Sequence, residues 1–296
     1  MTAQDLSHEV GYFTEANSAD VVIARNARTK DARLKAVMAS AVRHLHAFVK
    51  ETEPTHEEWM TALEFLTKTG QICSEWRQEW ILFSDVLGVS MLVDSINNRK
   101  PGTATESTVL GPFHVSNAPR YANGANICLD GKGEQTLVSG TVKDTEGKPI
   151  AGALLDVWQA NEDGFYDVQQ KGVQPDMNLR GVFTTDAEGK FWFRSAKPRH
   201  YPIPNDGPVG QLLEHLGRHP NRPAHLHFIV GAEGFRPVTT HIFTPDCPYL
   251  HSDAVFGVKQ SLVADFKPVD DAKRAAELGF RNPFLAVHWD FTLARG

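Results

Sequence analysis

The stretch Arg222-Pro-Ala-His225-Leu-His227-Phe-Ile-Val230 alternates histidines with apolar residues in the second half of the chain. Its apolar flanks predict a β-strand, in which neighbouring side chains point to opposite faces. We therefore expect His225 and His227 to share one face, while Leu226 and Phe228 lie on the other. Such a strand offers two nitrogen donors to a site and two apolar side chains to a core.

Two tyrosines in loops upstream of this strand extend the pattern. Tyr166 ends the turn Asn161-Glu-Asp-Gly-Phe-Tyr166, and Tyr201 lies among prolines in Pro198-Arg-His-Tyr-Pro-Ile-Pro204. Loops on a rigid sheet often carry functional groups, although a lone loop tyrosine is more often a packing residue with a hydrogen-bonded hydroxyl. Two phenolates and two imidazoles favour a hard trivalent ion, above all Fe(III). Zinc sites draw more often on cysteine, histidine and carboxylate.

The composition limits the class of protein. The chain has 296 residues, of which 41% are hydrophobic and 22% charged. This length can bury one large core and a smaller appendage. The formal net charge of −6 argues against a nucleic-acid partner, because phosphate binding needs a basic surface.

The sequence also indicates a compartment. No apolar run approaches the ~18 residues of a membrane span, and the N-terminal residues lack the basic and apolar segments of a signal peptide. Cys73, Cys128 and Cys247 are scattered and odd in number, which is typical of free thiols in a reducing cytosol. We therefore expect a cytoplasmic protein that does not enter a membrane.

The first part of the chain has a helical period. Apolar residues between Leu34 and Val49 recur at steps of three and four, which predicts an amphipathic helix. Thr55 with Glu58 fits a capping box that opens a second helix. A third helical stretch is predicted from Trp76 towards Asn98 and ends at Pro101-Gly102. Residues 1–104 are therefore predicted to form a helical domain.

Residues 105–296 instead show short strands separated by turns, which predicts a mainly β fold, an antiparallel β-sandwich. Only 209–216 and 271–278 have a helical pattern in this part. The predicted strand pairs are 136–142 with 153–158, 181–184 with 191–194, and 224–230 with 238–243, followed by one last strand over 285–291.

Three motifs resemble the intradiol ring-cleaving dioxygenases, a family that uses non-haem Fe(III). They are Asp156-Val-Trp-Gln-Ala-Asn-Glu-Asp-Gly-Phe-Tyr166, His200-Tyr-Pro-Ile-Pro204 and Arg222-Pro-Ala-His-Leu-His-Phe228. The helical part is similar to that family's linker and dimerisation domain. Two more stretches, Thr105–His114 and Ser252–Lys259, are most similar to members that cleave hydroxyquinol.

The resemblance implies one ferric ion per subunit and a role for each ligand. Tyr166 and His225 would be equatorial ligands, and Tyr201 and His227 axial ones, with a solvent hydroxide beside them. A vicinal diol would give one proton to the hydroxide and one to Tyr201, which would then leave the iron. With O2 the ring would open between the two hydroxyl-bearing carbons, and no reductant would be needed.

The resemblance also implies a cation and a pocket. Arg222 would be a fixed positive charge that stabilises developing negative charge, and the alternative is an ordinary surface ion pair. His241 is expected to be either a neighbour of the site or a structural residue. The positions that match the family's substrate pocket are Leu82, Asp85, Val109, Leu110, Gly111, Phe113, Ile203, Pro204 and Val255.

Asp85 is predicted to decide specificity. Its carboxylate would accept a hydrogen bond from a third ring hydroxyl, and a substrate without that hydroxyl would leave it unpaired at a cost of ~1–3 kcal/mol. The alternative is that Asp85 caps or pairs within the helical part. His251 and Cys247 depart from the family's pattern near the expected pocket wall, so the preferred ring substituent stays open.

The resemblance thus implies cleavage of hydroxyquinol (benzene-1,2,4-triol) to 3-hydroxy-cis,cis-muconate, which tautomerises to maleylacetate, in aromatic catabolism. The nearest alternative is the same reaction on catechol or a chlorocatechol. A non-catalytic β-sandwich binding module and a zinc hydrolase that uses the two histidines are alternatives from other classes. The family also implies a homodimer through the N-terminal helices. In that family this region often encloses a lipid-like molecule, and the sequence leaves open whether one is bound here.

Overall fold

The computed structural model describes residues 11–75, 77–100 and 102–296. The chain forms two compact units, Met1–Lys68 and Thr69–Gly296. Residues 1–10, used above for the signal-peptide prediction, lie outside the described residues, as do Trp76 and Pro101. Among the described residues, no helix combines the length and the apolar character needed to cross a bilayer. The predicted domain division after residue 104 stays a prediction.

Over its described residues, the first unit has the helices Ser18–Arg25, Ala32–Thr52 and His56–Gln71, the last of which ends three residues inside the second unit. The first two are joined by a 3-10 turn at Asn26–Arg28. Helix Ala32–Thr52 confirms the predicted amphipathic helix.

Two hydrogen-bonded caps begin the longer helices. Asp31 precedes Ala32–Thr52, and its carboxylate accepts a hydrogen bond from the Leu34 amide at 2.8 Å. The predicted capping box is confirmed, because the Thr55 amide donates to the Glu58 carboxylate at 2.8 Å and the Glu58 amide donates to Thr55 Oγ1 at 3.2 Å. These side chains satisfy backbone donors that have no partner inside a helix.

The second unit has four helices over the described residues: Glu79–Val86, Val89–Asn97, Pro208–His215 and Ala272–Leu278. The third predicted helical stretch is therefore two helices. They are separated at Gly88, whose φ of +73° lies in the left-handed region and interrupts the helical path. The two helices predicted in the β-rich part are confirmed.

The larger sheet is built around β1, Gln135–Asp144. This strand pairs antiparallel with β4, Lys190–Ala196, and parallel with β10, Phe284–His288, and β11, Phe291–Leu293. A short strand, β9, Lys267–Val269, pairs antiparallel with β10. The sheet thus has two antiparallel and two parallel strand pairs, and the parallel pairs form where the end of the chain returns beside β1.

The second sheet is antiparallel throughout, in the order β3-β2-β7-β8. Its strands are β2, Leu154–Gln159; β3, Arg180–Thr184; β7, His225–Gly231; and β8, Val238–Phe243. A separate two-stranded ribbon joins β5, Tyr201–Pro202, to β6, Asn221–Arg222. The histidine strand β7 therefore lies inside its sheet, with a neighbour on each side.

Strand pairing corrects two of the three predicted hairpins. The pair β7–β8 is confirmed. The pairs β1–β2 and β3–β4 are wrong, because β1 bonds to β4 in one sheet while β2 bonds to β3 and β7 in the other. Both turns instead carry the chain from one sheet to the other. Alternation shows which face of a strand is buried but does not identify its partner.

The two sheets enclose one core, which confirms the predicted β-sandwich. Phe183 of β3 stacks on Phe193 of β4, with ring centroids 4.7 Å apart, and Phe228 of β7 lies 4.8 Å from Phe291 of β11. Each of these four rings is fully buried. Because Leu226 and Phe228 face this core, the histidines of β7 lie on the opposite face of the sheet.

The last predicted strand is broken where it passes Gly140 of β1. The Trp289 amide donates to the Ser139 carbonyl at 2.8 Å, and a Cβ atom at Gly140 would lie 1.7 Å from the Trp289 carbonyl oxygen. The Asp290 carboxylate then accepts the Thr141 amide at 3.0 Å, in place of a backbone partner. A glycine in β1 therefore allows the close approach that separates β10 from β11.

Replacing Gly140 with alanine should lower the free energy of unfolding by ~2–3 kcal/mol, because the added carbon would overlap backbone that is fixed on both sides. Urea unfolding followed by circular dichroism measures the change. Gly102→Ala is the matched control, since no atom lies within 4 Å of the added carbon there. Equal stability of the two variants would show that the break does not depend on Gly140.

Candidate metal centre

The two imidazoles of β7 face each other. His225 Nε2 lies 3.0 Å from His227 Nε2, and each side chain is 1% exposed. His225 Nδ1 lies 2.6 Å from the Pro223 carbonyl oxygen. Because a carbonyl only accepts, the ring proton of His225 sits on Nδ1, and Nε2 turns its lone pair towards His227.

Burial keeps these rings neutral. Desolvation, assisted by the nearby positive charge of Arg222, lowers the pKa of His225 to about 3. Burial also lowers the pKa of His227 well below its usual value, and its imidazole neighbours act in the same direction. Neutral imidazoles with lone pairs directed into a shared space are metal donors.

Tyr166 brings the first phenol to the histidines. Its hydroxyl oxygen lies 2.8 Å from His227 Nε2, and its ring stacks on Phe113 with centroids 4.6 Å apart. The Tyr166 amide donates to Gln169 Oε1 at 2.9 Å, within the short turn that follows. Burial, and then the nearby Tyr201, raise the pKa of Tyr166 well above its usual value. Without a cation this phenol is therefore neutral.

Tyr201 brings the second phenol from the β5–β6 ribbon. Its ring meets Tyr166 edge-on at 5.2 Å between centroids and lies 5.6 Å from the His225 ring. It pairs in register with Arg222, whose Nη1 lies 3.5 Å from the Tyr201 hydroxyl oxygen. The structure thus brings together the four side chains expected from the sequence. Their role as metal ligands stays a prediction.

A third histidine, His241, belongs to the same cluster. It lies opposite His227 in the β7–β8 register, is fully buried, and places its ring centroid 4.2 Å from that of His227. One nitrogen from each of His225, His227 and His241 lies within 4.8 Å of the others. Of the two roles left open by the sequence, the structure therefore favours a neighbour of the site.

Trp158 covers the other side of His227. It is the partner of His227 in the β2–β7 register, and the two rings stack almost parallel, with centroids 4.5 Å apart and planes at 13°. The indole ring is fully buried. This contact fixes the plane of the imidazole. The sequence indicated the strand but not the stacking, because the register between β2 and β7 was unknown.

Arg222 is paired with a residue that sequence reasoning missed. Its Nε lies 3.2 Å from Asp253 Oδ1 and its Nη2 lies 3.4 Å from Asp253 Oδ2, with both side chains almost fully buried. The alternative of a surface ion pair is therefore wrong. Burial opposes the charge of Arg222, but Asp253 and Tyr201 raise its pKa above the usual value. Asp253 lies in the stretch Ser252–Lys259, whose resemblance was the available signal.

A second buried ion pair holds the loop of Tyr166. Arg180 lies 2.6 Å from the carboxylate of Asp167, the residue that follows Tyr166, and its Nη1 donates to the Phe113 carbonyl at 2.7 Å. Arg180 is 1% exposed. Arg180 and Asp167 thus join the turn of Tyr166 to Phe113, whose ring stacks on Tyr166. Neither partner was expected from the sequence.

Four of the predicted pocket residues contact this cluster or its supports. A Cβ atom at Gly111 would lie 3.1 Å from His227 Cε1, and Phe113 stacks on Tyr166 as described. The backbone of Val109 interacts with His241, and the Val255 amide lies 3.3 Å from Asp253 Oδ1. Their contacts with substrate stay predictions.

Asp85 lies within electrostatic range of Arg222. Burial raises the pKa of its carboxyl group above the usual value, whereas the Ser90 hydroxyl and Arg222 act against that rise. Leu82 is half-buried on the same helix. Both remain predicted substrate contacts.

The remaining predicted pocket residues differ in exposure. Ile203 is 6% exposed, Leu110 is 44% exposed, and Pro204 is exposed. Of the two departures from the family pattern, His251 is exposed, whereas Cys247 is buried and its Sγ accepts the Ala224 amide at 3.3 Å. The sulfur thus lies beside the start of β7.

Comparison with known proteins places these residues in context. A family model described as "Catechol dioxygenase N terminus" matches residues 31–105, and one described as "Dioxygenase" matches residues 109–295. The chain is 68% identical to a hydroxyquinol 1,2-dioxygenase of Rhizobium sp. (strain MTP-10005), over 96% of this chain and 97% of that protein.

Two further similarities extend this comparison. A 6-chlorohydroxyquinol 1,2-dioxygenase of Cupriavidus pinatubonensis is 48% identical over 92% of this chain and 99% of its own length. The solved structure of hydroxyquinol 1,2-dioxygenase from Pseudomonas putida DLL-E4 matches with a TM-score of 0.91 at 45% identity, covering 95% of this chain and 99% of that one.

The buried histidines predict how the stability of the metal-free protein depends on pH. His225, His227 and His241 have lowered pKa values in the folded state, whereas an unfolded histidine titrates near ~6.5. Below that pH the unfolded chain binds more protons than the folded one, so the free energy of unfolding falls as pH falls. For His225 this loss continues down to its folded-state pKa of about 3. Each histidine contributes up to ~1.4 kcal/mol per pH unit.

Replacing His241 with glutamine should therefore reduce this slope by ~1.4 kcal/mol per pH unit between about pH 6 and 4. Urea unfolding of the metal-free protein at several pH values measures it. His44→Gln is the control, because that side chain is exposed. The interpretation fails if the His241 and His44 variants keep the same slope.

Proposed function

Because this chain belongs to the intradiol ring-cleaving dioxygenases, we propose that it cleaves hydroxyquinol with O2 to 3-hydroxy-cis,cis-muconate. That product tautomerises to maleylacetate, as a step in the catabolism of aromatic compounds. The observation that carries this proposal is the near full-length similarity to hydroxyquinol 1,2-dioxygenases. The same cleavage of catechol or a chlorocatechol is the second candidate, because the family model of the N-terminal part is described by catechol.

The family is iron-dependent, and the donors of the site fit such an ion. We assign one non-haem ferric ion per subunit to Tyr166, Tyr201, His225 and His227. The support is chemical: the His225 and His227 imidazoles turn their Nε2 atoms towards each other, 3.0 Å apart, and the phenols of Tyr166 and Tyr201 lie beside them. Bound there, ferric iron would draw electron density from a chelated diol and so make a ring carbon of the diol susceptible to attack by O2.

Tyr201 and Arg222 would handle the charge and the proton at this site. As a phenolate, the Tyr201 oxygen can accept a proton from a substrate hydroxyl. The Nη1 group of Arg222, 3.5 Å from that oxygen, stabilises negative charge there or on a substrate oxygen bound in its place. Because the site is buried, this charge-assisted hydrogen bond is stronger than it would be in water.

Asp85 would select the third ring hydroxyl. Its carboxyl group is partly removed from water, as its raised pKa reflects, so an unpaired oxygen there would be unfavourable. A triol supplies a hydroxyl at that position and a simple catechol does not. The apolar residues Leu82, Val109, Leu110, Phe113, Ile203, Pro204 and Val255, together with Gly111, would enclose the ring.

The N-terminal helices would form the contact of a homodimer. Helix Ala32–Thr52 exposes large apolar side chains in the single chain, with Leu45 62% and Phe48 60% exposed. A second subunit, with a lipid-like molecule between the copies, would cover this face. We propose that residues 1–104 serve this linker and dimerisation role and that residues 105–296 form the catalytic domain, in a cytoplasmic enzyme.

Replacing Tyr166 with phenylalanine should remove much of the visible absorption of the iron-loaded protein, because phenolate bound to ferric iron absorbs visible light. Absorption spectra with metal analysis measure this. Tyr121→Phe is the control, since that ring packs on Phe183 in the β-sandwich core. A colourless wild-type protein that holds zinc would instead favour the zinc hydrolase.

Replacing Asp85 with alanine should lower kcat/KM for hydroxyquinol by ~5–150-fold, corresponding to ~1–3 kcal/mol, and lower that for catechol much less. Asp85→Asn keeps an acceptor oxygen and should lose less. Oxygen uptake with the two substrates measures both effects, with Asp176→Ala, at an exposed position, as the control. Equal losses on triol and diol would exclude Asp85 from the choice of substrate.

A further inference from the structure

The cluster contains one fixed carboxylate that the proposed reaction does not use. Asp253 lies in the loop after β8, far in sequence from Arg222 of β6, yet the two side chains are only 2% and 3% exposed. Two contacts join them, from Nε to Oδ1 and from Nη2 to Oδ2. A carboxylate that engages one edge of a guanidinium in this way fixes the plane of the group as well as its position.

We propose that Asp253 is a positioning residue, which holds Arg222 by its Nε and Nη2 groups and so directs Nη1 at the Tyr201 oxygen and the bound diol. This rests on the proposed function, because it concerns the charge that Arg222 stabilises there. Held this way, Arg222 keeps one donor group for the reaction while its other edge is satisfied.

The carboxylate of Asp253 is itself rigidly held. Besides Arg222, it accepts the Gly257 amide at 2.9 Å and the Val255 amide at 3.3 Å, and the Phe256 amide donates to the Asp253 carbonyl at 3.1 Å. Four donors therefore surround its two oxygens. A carboxylate fixed by backbone amides cannot follow the arginine if that side chain moves, so it can serve as a fixed point.

Gly257 allows the guanidinium to lie in this position. A Cβ atom there would lie 2.8 Å from Arg222 Nη2 and 3.1 Å from Asp253 Oδ2. The first distance is too short for a carbon atom, so a residue with a Cβ atom would displace the guanidinium. The second distance is tight and would also shift the carboxylate by a few tenths of an ångström. The loop thus provides the anion, two amides and the space beside them.

The ribbon of β5 and β6 supplies the other end of this geometry. Tyr201 and Arg222 are register partners, so their backbones are fixed relative to each other. The flexible part is the long arginine side chain, which has many rotamers when nothing holds its end. The contact with Asp253 removes that freedom, and the 3.5 Å approach of Nη1 to the Tyr201 oxygen follows from it.

The charges agree with this division of roles. Arg222 lies among Asp253, Asp85 and the phenols, and Asp253 is its ion-pair partner. The positive charge of Arg222 lowers the pKa of Asp85, and the negative charge of Asp253 raises it. By pairing with Arg222, Asp253 offsets the attraction between that arginine and Asp85, so the Asp85 carboxyl group stays available to the substrate.

A double-mutant cycle on the iron-loaded full-length enzyme tests this role. The variants are Asp253→Asn, Arg222→Ala and the combination, with Asp246→Asn as the control because that side chain is 62% exposed. Asparagine has nearly the same shape, but its side-chain NH2 group is a hydrogen-bond donor. That group would face the donors of Arg222 and Gly257 where the wild-type protein has an acceptor oxygen. Hydroxyquinol turnover is measured at equal iron content, with the visible absorption band recorded for each variant.

We expect Asp253→Asn to lower kcat by about 10–100-fold, as loss of orientation does, while KM changes less than about threefold. The visible band should shift, because Nη1 moves relative to the Tyr201 oxygen. If Asp253 acts only through Arg222, the combined variant should be no slower than Arg222→Ala alone. Losses that multiply in the combined variant, or an Asp253→Asn enzyme with wild-type kcat and band, would overturn the proposal.

A second variant keeps the test decisive if Asp253→Asn does not fold. Gly257→Ala retains both charges but displaces the guanidinium, and it should reproduce the loss of kcat. Gly231→Ala, where the added carbon would lie 3.5 Å from its nearest neighbour, is its control. A wild-type enzyme that cleaves neither triol nor diol would refute the proposed function instead, while the band shift in Asp253→Asn would still report on the positioning role.

Discussion

The two faces of β7 are the constraint on which the rest of this protein depends. The strand has a bonded neighbour on each side and a sheet packed against one face, so its register cannot slip without exchanging its faces. Leu226 and Phe228 are fully buried in the sandwich core. Stability of the core therefore fixes His225 and His227 on the opposite face, and the two loop tyrosines have a rigid surface to approach.

The charge balance around that surface explains why it suits a cation. His225, His227 and Tyr166 are neutral, because burial lowers the pKa of the two imidazoles and raises that of the phenol. Two buried arginines lie near it, and each is paired with an aspartate, Arg180 with Asp167 and Arg222 with Asp253. A trivalent ion would replace phenol protons and leave these pairs intact. The protein thus supplies oriented donors, and a bound metal ion would supply the charge that makes the two phenols anionic.

The predicted metal ligands and the predicted specificity residues come from different parts of the structure. The predicted ligands come from strand β7, the turn after β2 and the β5–β6 ribbon. Short hydrogen bonds and stacked rings connect residues of the site. Asp85 and Leu82 come from the helix Glu79–Val86 instead. With these predicted roles, changes on the helix and neighbouring loops would select ring substituents without altering the predicted metal donors.

The sequence by itself determined which face of β7 is buried and where the helix His56–Gln71 begins, because these follow from local period and capping chemistry. With the family resemblance, it also indicated which four side chains could meet around a metal. It could not determine strand partners, since β1 and β2 alternate in the same way whether they pair or lie in opposite sheets. For the same reason it left His241 open and missed the stacking of Trp158, both of which follow from the register beside His227. Asp253 and Arg222 are brought together only by the folding of distant loops. Tertiary packing alone decided which charged groups are buried. Burial matters because electrostatic interactions between charged groups are stronger away from water.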